Sequence, residues 1–114
     1  DRITAFDMRA DGTLSNRRIW ASMHGHQPDG ICLDEAGGLW VACPFTHVLQ
    51  RVLEGGEITH TIAFETLPLA CVYGGPGRDT LYVCTALHPD EASEKMAGGA
   101  IEIVETGYRG AGFP

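Results

Sequence analysis

The fold is decided by residues 28–43, which read PDGICLDEAGGLWVAC. Two short apolar runs, at 30–34 and 39–43, flank a turn that is rich in glycine and acidic side chains. Runs of this length between turn residues are typical of β-strands, and a short glycine-containing loop between two of them is typical of a hairpin. The stretch therefore predicts two antiparallel strands, with Pro28-Asp29-Gly30 at the entrance to the first.

The same pattern recurs further along the chain. Residues 70–85, ACVYGGPGRDTLYVCT, again place a glycine-rich turn between two apolar runs. Trp40 of the first copy matches Tyr82 of the second, and their separation of about 42 residues falls within the roughly 40–45 residues of a β-propeller blade. Because the two aromatic residues occupy equivalent strand positions, we predict that both pack between sheets.

Apolar runs on either side of these two copies complete the pattern. They are separated by turn signals such as Asp11-Gly12 and Gly55-Gly56. The predicted strands are 3–8 and 16–21, then 30–34, 39–43, 48–53 and 57–64, and finally 70–73, 80–85 and 100–104. Residues 87–99 interrupt the last group and predict a surface loop.

The grouping of these strands predicts an all-β chain that forms about two and a half blades of a propeller. Residues 1–22 are predicted to form the outer strands of one blade, and residues 23–66 a complete blade. Residues 67–114 are predicted to form a last blade that lacks its outermost strand.

The composition narrows the class of function. Of the 114 residues 44% are hydrophobic and 20% are charged, and the net charge is -7 with no run of Lys or Arg. This composition is ordinary for a soluble globular protein, and it disfavours nucleic-acid binding, which needs a positive surface. With no transmembrane run and no signal peptide, we expect a cytoplasmic protein without a membrane partner. Because the chain begins at Asp1 rather than Met, a signal peptide upstream is left open.

Four cysteines, Cys32, Cys43, Cys71 and Cys84, all fall within predicted strands. Their spacing contains no C-x-x-C pair and no Cys/His zinc pattern. We interpret them as small buried thiols in a reducing compartment. The alternative is a disulfide between Cys32 and Cys43 as strand neighbours.

Pro28-Asp29-Gly30 is the first candidate site. It opens the innermost strand of the complete blade, and inner strands line the central channel of a propeller. A carboxylate at that place can meet oxygen atoms from neighbouring blades, and a hard cation such as Ca²⁺ prefers oxygen ligands. The alternative is a plain turn, because Pro-Asp-Gly is itself a strong turn signature.

Other polar residues have plainer interpretations. His24 and His26 point to the same side of an extended segment, but two imidazoles without further ligands make a weak metal site. We interpret His26 as lining a pocket or simply exposed. Turn residues at the rim of the sheets are predicted at Asp34, Glu35 and Asp79.

Five stretches carry a resemblance to a known family. They are residues 11–18 (DGTLSNRR), 28–34 (PDGICLD), 38–42 (GLWVA), 74–83 (GGPGRDTLYV) and 98–101 (GGAI). In this order and spacing the chain resembles the C-terminal portion of the senescence marker protein (regucalcin), gluconolactonase and luciferin-regenerating enzyme family. The resemblance implies the C-terminal fragment of a six-bladed β-propeller, whose ring closes with missing N-terminal blades or by self-association.

The resemblance also implies a metal site. Family members hold one divalent cation in the channel through a Glu near the N-terminus, an Asn in a middle blade and the Asp of the Pro-Asp-Gly motif. Only the last of these maps onto this chain, as Asp29, because the other motifs belong to blades before Asp1. The resemblance therefore implies that Asp29 is a metal ligand and the catalytic carboxylate that activates water. The expected cation is Ca²⁺, with Zn²⁺, Mn²⁺ or Mg²⁺ as alternatives.

The implied function is a metal-dependent hydrolase of sugar lactones, incomplete and inactive in this chain alone, with a small sugar lactone as its partner. By repeat equivalence, residues near the channel mouth are expected to shape the substrate pocket. They are His26, Gln27, Leu69, Ala70 and Cys71. The alternative is a non-catalytic propeller fragment that serves as a binding or interaction module, with or without Ca²⁺.

Overall fold

The structure is a computed structural model that describes residues 1–87 and 98–112. Nine strands form within these ranges, and a single 3₁₀ turn, Pro44–Thr46, separates two of them. The strands are β1 (Arg2–Met8), β2 (Leu14–Ser22), β3 (Ile31–Leu33), β4 (Leu39–Cys43), β5 (Val48–Val52), β6 (Ile58–Ala63), β7 (Leu67–Gly74), β8 (Thr80–Ala86) and β9 (Ala100–Glu105). The all-β prediction is confirmed. Most of the loop predicted at 87–99 lies outside the described residues.

The strands form three antiparallel sheets in which chain neighbours are also spatial neighbours. The first sheet contains β1 and β2, the second contains β3 to β6 in order, and the third contains β7 to β9 in order. Short turns join β1 to β2, β3 to β4, β5 to β6 and β7 to β8, and in the β5–β6 turn both Gly55 and Gly56 adopt the positive φ that only glycine takes up without strain. Among the described residues, no helix has the length and apolar character needed to cross a membrane.

The second sheet lies between the other two, and β4 shows why. All five residues of β4 are buried, because successive side chains of a strand point to opposite faces and both faces are covered. Leu39, Val41 and Cys43 pack against the first sheet. Trp40 and Ala42 pack against the third sheet. Antiparallel sheets stacked in succession, each on the next, are the arrangement of neighbouring blades in a β-propeller, so the predicted fold class is confirmed.

Two apolar clusters hold the sheets together, one at each interface. Removal of this surface from water is the main source of stability, at roughly 1.5–3 kcal/mol for each large side chain. Trp40, predicted as an inter-sheet residue, is fully buried in the second cluster. Tyr82 occupies the equivalent strand position, pairing with Val72 and Ile103 as Trp40 pairs with Cys32 and Arg51. However, Tyr82 points away from the second sheet and is only half-buried.

The structure corrects the prediction that Asp34 is a turn residue at the rim of the sheets. It does lie in the β3–β4 turn, where its Oδ1 accepts hydrogen bonds from the amides of Ala36 and Gly38. Its side chain is nevertheless fully buried, and the Arg51 guanidinium compensates the burial of the carboxylate with two hydrogen bonds, 2.6 Å from Nε to Oδ2 and 3.0 Å from Nη2 to Oδ1. Asp34 is therefore half of a buried ion pair rather than an exposed rim residue.

The C-terminal segment 106–112 packs over the end of the sheets that contains the Asp34 turn. Gly110 forms an isolated bridge with Asp34, and its amide donates to the carbonyl of Arg78 at 2.9 Å. The Tyr108 ring lies 4.0 Å from the Arg51 guanidinium and stacks over it. One short segment therefore joins the β3–β4 turn to the β7–β8 turn, and so ties the second sheet to the third.

The four cysteines are free, so the disulfide alternative is wrong. Cys43 and Cys71 are buried as predicted, and Cys32 is half-buried. Cys84 is exposed, because it points to the outer face of the third sheet. The interpretation of all four as buried thiols is therefore wrong for Cys84.

Candidate functional site

Asp29 lies just before β3, at the end of the sheets opposite to the Asp34 turn. Its amide donates to the carbonyl of Ala42 at 2.8 Å, and the amide of Ala42 donates to the carbonyl of Gly30 at 2.9 Å. These bonds extend the β3–β4 ladder and fix the backbone of Asp29. Its side chain is exposed. The fold thus presents a carboxylate on a rigid backbone at this end of the second sheet, which we call the Asp29 end.

Gly30 brings the second and third sheets into backbone contact at the Asp29 end. Its amide donates to the carbonyl of Leu69 at 2.8 Å. A Cβ atom placed on Gly30 would lie 2.5 Å from the Cα of Ala70, which is closer than real Cβ atoms come to backbone. Only glycine fits here, because the starts of β3 and β7 approach this closely.

The three β7 residues expected in the pocket have different environments. The pairing of β7 with β8 shifts between Pro68 and Ala70, so Leu69 has no partner on β8 and bulges beside Gly30. Leu69 is half-buried and Ala70 is exposed. Cys71 is buried in the cluster between the sheets, where loss of hydration raises the pKa of its thiol to about 12. The structure therefore brings Leu69 and Ala70 next to the Asp29 segment and directs Cys71 into the core.

His26 and Gln27 lie on the segment that leads to Asp29. Gln27 is exposed. His26 is half-buried, with Nδ1 3.0 Å from Thr46 Oγ1 and Nε2 3.3 Å from Gln50 Nε2. Sequence reasoning missed Thr46 and Gln50. The available signal was Gln50 itself, an uncharged polar residue at a buried position of the otherwise apolar start of β5.

The ligands at the Asp29 end supply only part of a metal site. Within residues 1–87 and 98–112, no three His, Cys, Asp or Glu side chains lie close enough together to hold a metal ion. The exposed Asp29 carboxylate is a hard oxygen donor of the kind that Ca²⁺ and Mg²⁺ accept, but Ca²⁺ takes roughly six to eight such oxygens. The residues present therefore fit one ligand of a divalent cation, and the others have to come from water or from outside the described residues.

Comparison with known proteins assigns the chain to a family. The model of the SMP-30/Gluconolactonase/LRE-like region matches residues 1–87, which include β1 to β8 and the Asp29 end. The chain belongs to this family. The family resemblance inferred from the sequence is therefore confirmed.

Curated relatives agree over nearly the whole chain. Regucalcin of Oryctolagus cuniculus is 34% identical over 120 residues, which cover 95% of this chain and 39% of the relative. Regucalcin of Xenopus laevis is 32% identical over 116 residues, covering 92% of this chain and 38% of that protein. The chain thus spans less than two fifths of the length of these relatives, and it is similar to one continuous part of them.

A solved structure supports the architecture independently of close sequence similarity. A luciferin-regenerating enzyme superposes with a TM-score of 0.76 over 96% of this chain and 39% of that structure, at 24% sequence identity. At this identity the match concerns the fold alone. It agrees with three successive blades of a larger propeller.

Proposed function

We propose that this chain contributes Asp29 to a divalent-cation site in a hydrolase of sugar lactones. The support is the Asp29 end itself: an exposed carboxylate on a fixed backbone, beside the point where two neighbouring blades meet at Gly30 and Leu69. Membership of a family whose description includes gluconolactonase supports the substrate class. The proposal concerns the full-length polypeptide, because one carboxylate does not complete a cation site.

The chemistry follows from the position of the carboxylate. When bound, a divalent cation polarises the lactone carbonyl and stabilises the negative charge that develops on its oxygen. Asp29 orients the attacking water and accepts its proton as the water oxygen bonds to the carbonyl carbon. The ring C–O bond then breaks, and that proton passes to the leaving oxygen, so that the product is the open hydroxy acid. Leu69 and Ala70, which contact Gly30 next to Asp29, are expected to shape the substrate pocket.

An activity measurement on the full-length polypeptide tests the proposal. Lactone hydrolysis is followed by acid release, with and without a chelator, for the wild type and for Asp29→Asn. Asp79→Asn is the matched control, because Asp79 is an exposed aspartate near the opposite end of the sheets. We expect activity to fall about 100-fold or more in Asp29→Asn and in chelator, as for loss of a catalytic base. Full activity in both conditions would contradict the proposal.

The alternative function, an interaction module, requires an exposed binding surface, and the outer face of the third sheet is the apolar surface to consider. This face carries Val72, Ile101 and Ile103, which are 44%, 68% and 64% exposed. Strand pairing makes it the equivalent of the face through which the second sheet packs on the third. We propose that it takes a further sheet of the same polypeptide, because exposed apolar surface of this kind is costly in water.

Sedimentation of the 114-residue chain tests whether this face has to be covered. A chain whose outer face is bare associates with itself, whereas the same chain with Ile101→Lys and Ile103→Glu remains a monomer. A monomeric wild-type chain would contradict the need for a covering sheet. A discrete multiple of 12.3 kDa would indicate that copies of the chain replace that sheet.

A further inference from the structure

Both ring nitrogens of His26 are used within the protein. Thr46 Oγ1 lies 3.4 Å from the carbonyl of Cys43 and donates its single hydrogen there. It therefore accepts a hydrogen bond from His26 Nδ1, at 3.0 Å. With the hydrogen on Nδ1, His26 Nε2 is an acceptor, and it takes its hydrogen bond from the Gln50 side-chain amide at 3.3 Å. The ring is therefore fixed at both ends.

The two partners of His26 belong to rigid parts of the second sheet. Thr46 ends the 3₁₀ turn after β4. Gln50 lies in β5, and it is one of the few buried polar residues in the part of the chain that the structure describes. Its Oε1 atom is buried and has no hydrogen-bond partner among the described residues. Loss of the His26 ring would leave the Gln50 amide without the bond that now offsets part of its burial.

The segment that carries Asp29 is held at three successive places. Met23 is buried in the cluster between the first and second sheets. The His26 ring binds the second sheet, and the Asp29 amide binds the carbonyl of Ala42. Between the first and the last of these anchors, the described side-chain hydrogen bonds of the segment all come from His26. The His26 ring is therefore the side-chain hydrogen-bond anchor of the described segment between Met23 and Asp29.

We propose that His26 is a positioning residue for Asp29, which clamps residues 24–29 to the second sheet so that the carboxylate is held where a divalent cation can bind. This inference rests on the proposed function. It differs from the substrate-pocket role predicted from the sequence, because neither ring nitrogen is free to bind a substrate. Groups that hydrogen-bond directly to a metal ligand change metal affinity by roughly 10- to 100-fold when they are removed, and His26, which acts on Asp29 through the backbone, is expected at the lower end of that range.

The test is calorimetric titration of the full-length polypeptide with CaCl₂. We expect His26→Ala and His26→Leu to bind Ca²⁺ about 10-fold or more weakly, because Leu restores packing but not the hydrogen bonds. His26→Asn can still donate to Thr46, and we expect it to recover most of the affinity. His24→Ala, a change at an exposed histidine of the same segment, is the control and is expected to match the wild type. Circular dichroism of each variant confirms that it is folded.

Two results would overturn the role of His26. In the first, His26→Ala or His26→Leu binds Ca²⁺ within about twofold of the wild type, below the effect of an orienting group. In the second, His26→Leu recovers the affinity that His26→Ala loses, so that packing alone is responsible. Asp29→Asn in the same titration separates this inference from the proposed function. If Asp29→Asn binds Ca²⁺ normally, the proposed function fails, whereas a loss in Asp29→Asn without a loss in His26→Ala removes only the positioning role.

Discussion

The amide of Gly30 donates a hydrogen bond to the carbonyl of Leu69 across 2.8 Å, and this contact joins two neighbouring sheets beside Asp29. The contact requires a residue without Cβ, since an added Cβ would lie 2.5 Å from the Cα of Ala70. The Asp29 end therefore depends on close backbone packing between blades, which substitutions can test directly.

Gly30→Ala is expected to lower the free energy of unfolding by about 1–3 kcal/mol, because a methyl group has to be forced between two backbones. Urea denaturation followed by circular dichroism measures the change. Gly112→Ala is the matched control, because nothing lies within 4 Å of a Cβ at that position. Equal stability of the two variants would show that β3 and β7 are not packed this closely.

The buried Asp34–Arg51 pair predicts a pH-dependent stability. Burial by itself would raise the pKa of the Asp34 carboxyl, but hydrogen bonds from Arg51 and from the Gly38 amide outweigh it, so the pKa lies below its ordinary value of 3.8. A carboxyl whose pKa is lowered by folding stabilises the folded state above that ordinary value and loses this contribution as the pH falls through the folded pKa. We therefore expect stability to fall below about pH 4.

Asp34→Asn tests the ion pair at neutral pH. We expect a loss of about 3–5 kcal/mol, because the substitution leaves the Arg51 guanidinium buried without its counter-charge. Asp7→Asn breaks the exposed pair between Asp7 and Arg18 and is expected to change stability little. The Asp34→Asn variant should also lack the part of the acid dependence that comes from Asp34. An unchanged acid profile in that variant would contradict the assignment.

The ring contacts of Tyr108 are expected to determine how much the C-terminal segment stabilises the fold. Its ring stacks over Arg51 and meets the Trp40 ring edge-on, with ring centroids 6.4 Å apart. Tyr108→Ala is expected to cost about 2 kcal/mol through loss of the cation–π and aromatic contacts, whereas Tyr108→Phe keeps both rings in place. Thermal unfolding compares the two variants. A loss in Tyr108→Phe as large as in Tyr108→Ala would mean that the hydroxyl, rather than the ring, makes the contact.

The cysteines are expected to differ in their reactivity towards thiol reagents in the 114-residue chain. Burial raises the pKa of Cys43 to about 11 and that of Cys71 to about 12. At pH 8 a thiol of pKa 12 is ionised in only about one molecule in 10⁴, and the thiolate is the reactive form. In the chain with Ile101→Lys and Ile103→Glu, whose outer face of the third sheet stays free of self-association, exposed Cys84 is therefore expected to react first with a maleimide, as followed by peptide mass spectrometry. Labelling of Cys71 before Cys84 would contradict the orientation of β8.

The sequence was sufficient to predict the sheets because their signals are local. Apolar runs and glycine turns lie within single strands and hairpins. The Trp40–Tyr82 repeat spans two sheets, and repeat equivalence led to the expectation that Leu69 and Ala70 lie near the channel mouth. The buried role of Asp34 was missed because its partner, Arg51, lies on another strand and the turn pattern around Asp34 is satisfied either way. The anchoring of His26 was missed for the same reason, since Thr46 and Gln50 reach it only in the folded sheet.

The central claim is that the Asp29 carboxylate is a ligand of a divalent cation. The most direct measurement is a Ca²⁺ titration of the full-length polypeptide, comparing the wild type with Asp29→Asn and with Asp79→Asn. We predict that the wild type and Asp79→Asn bind one cation with the same affinity, and that Asp29→Asn binds it at least about 10-fold more weakly. Equal affinity in all three proteins would contradict the claim.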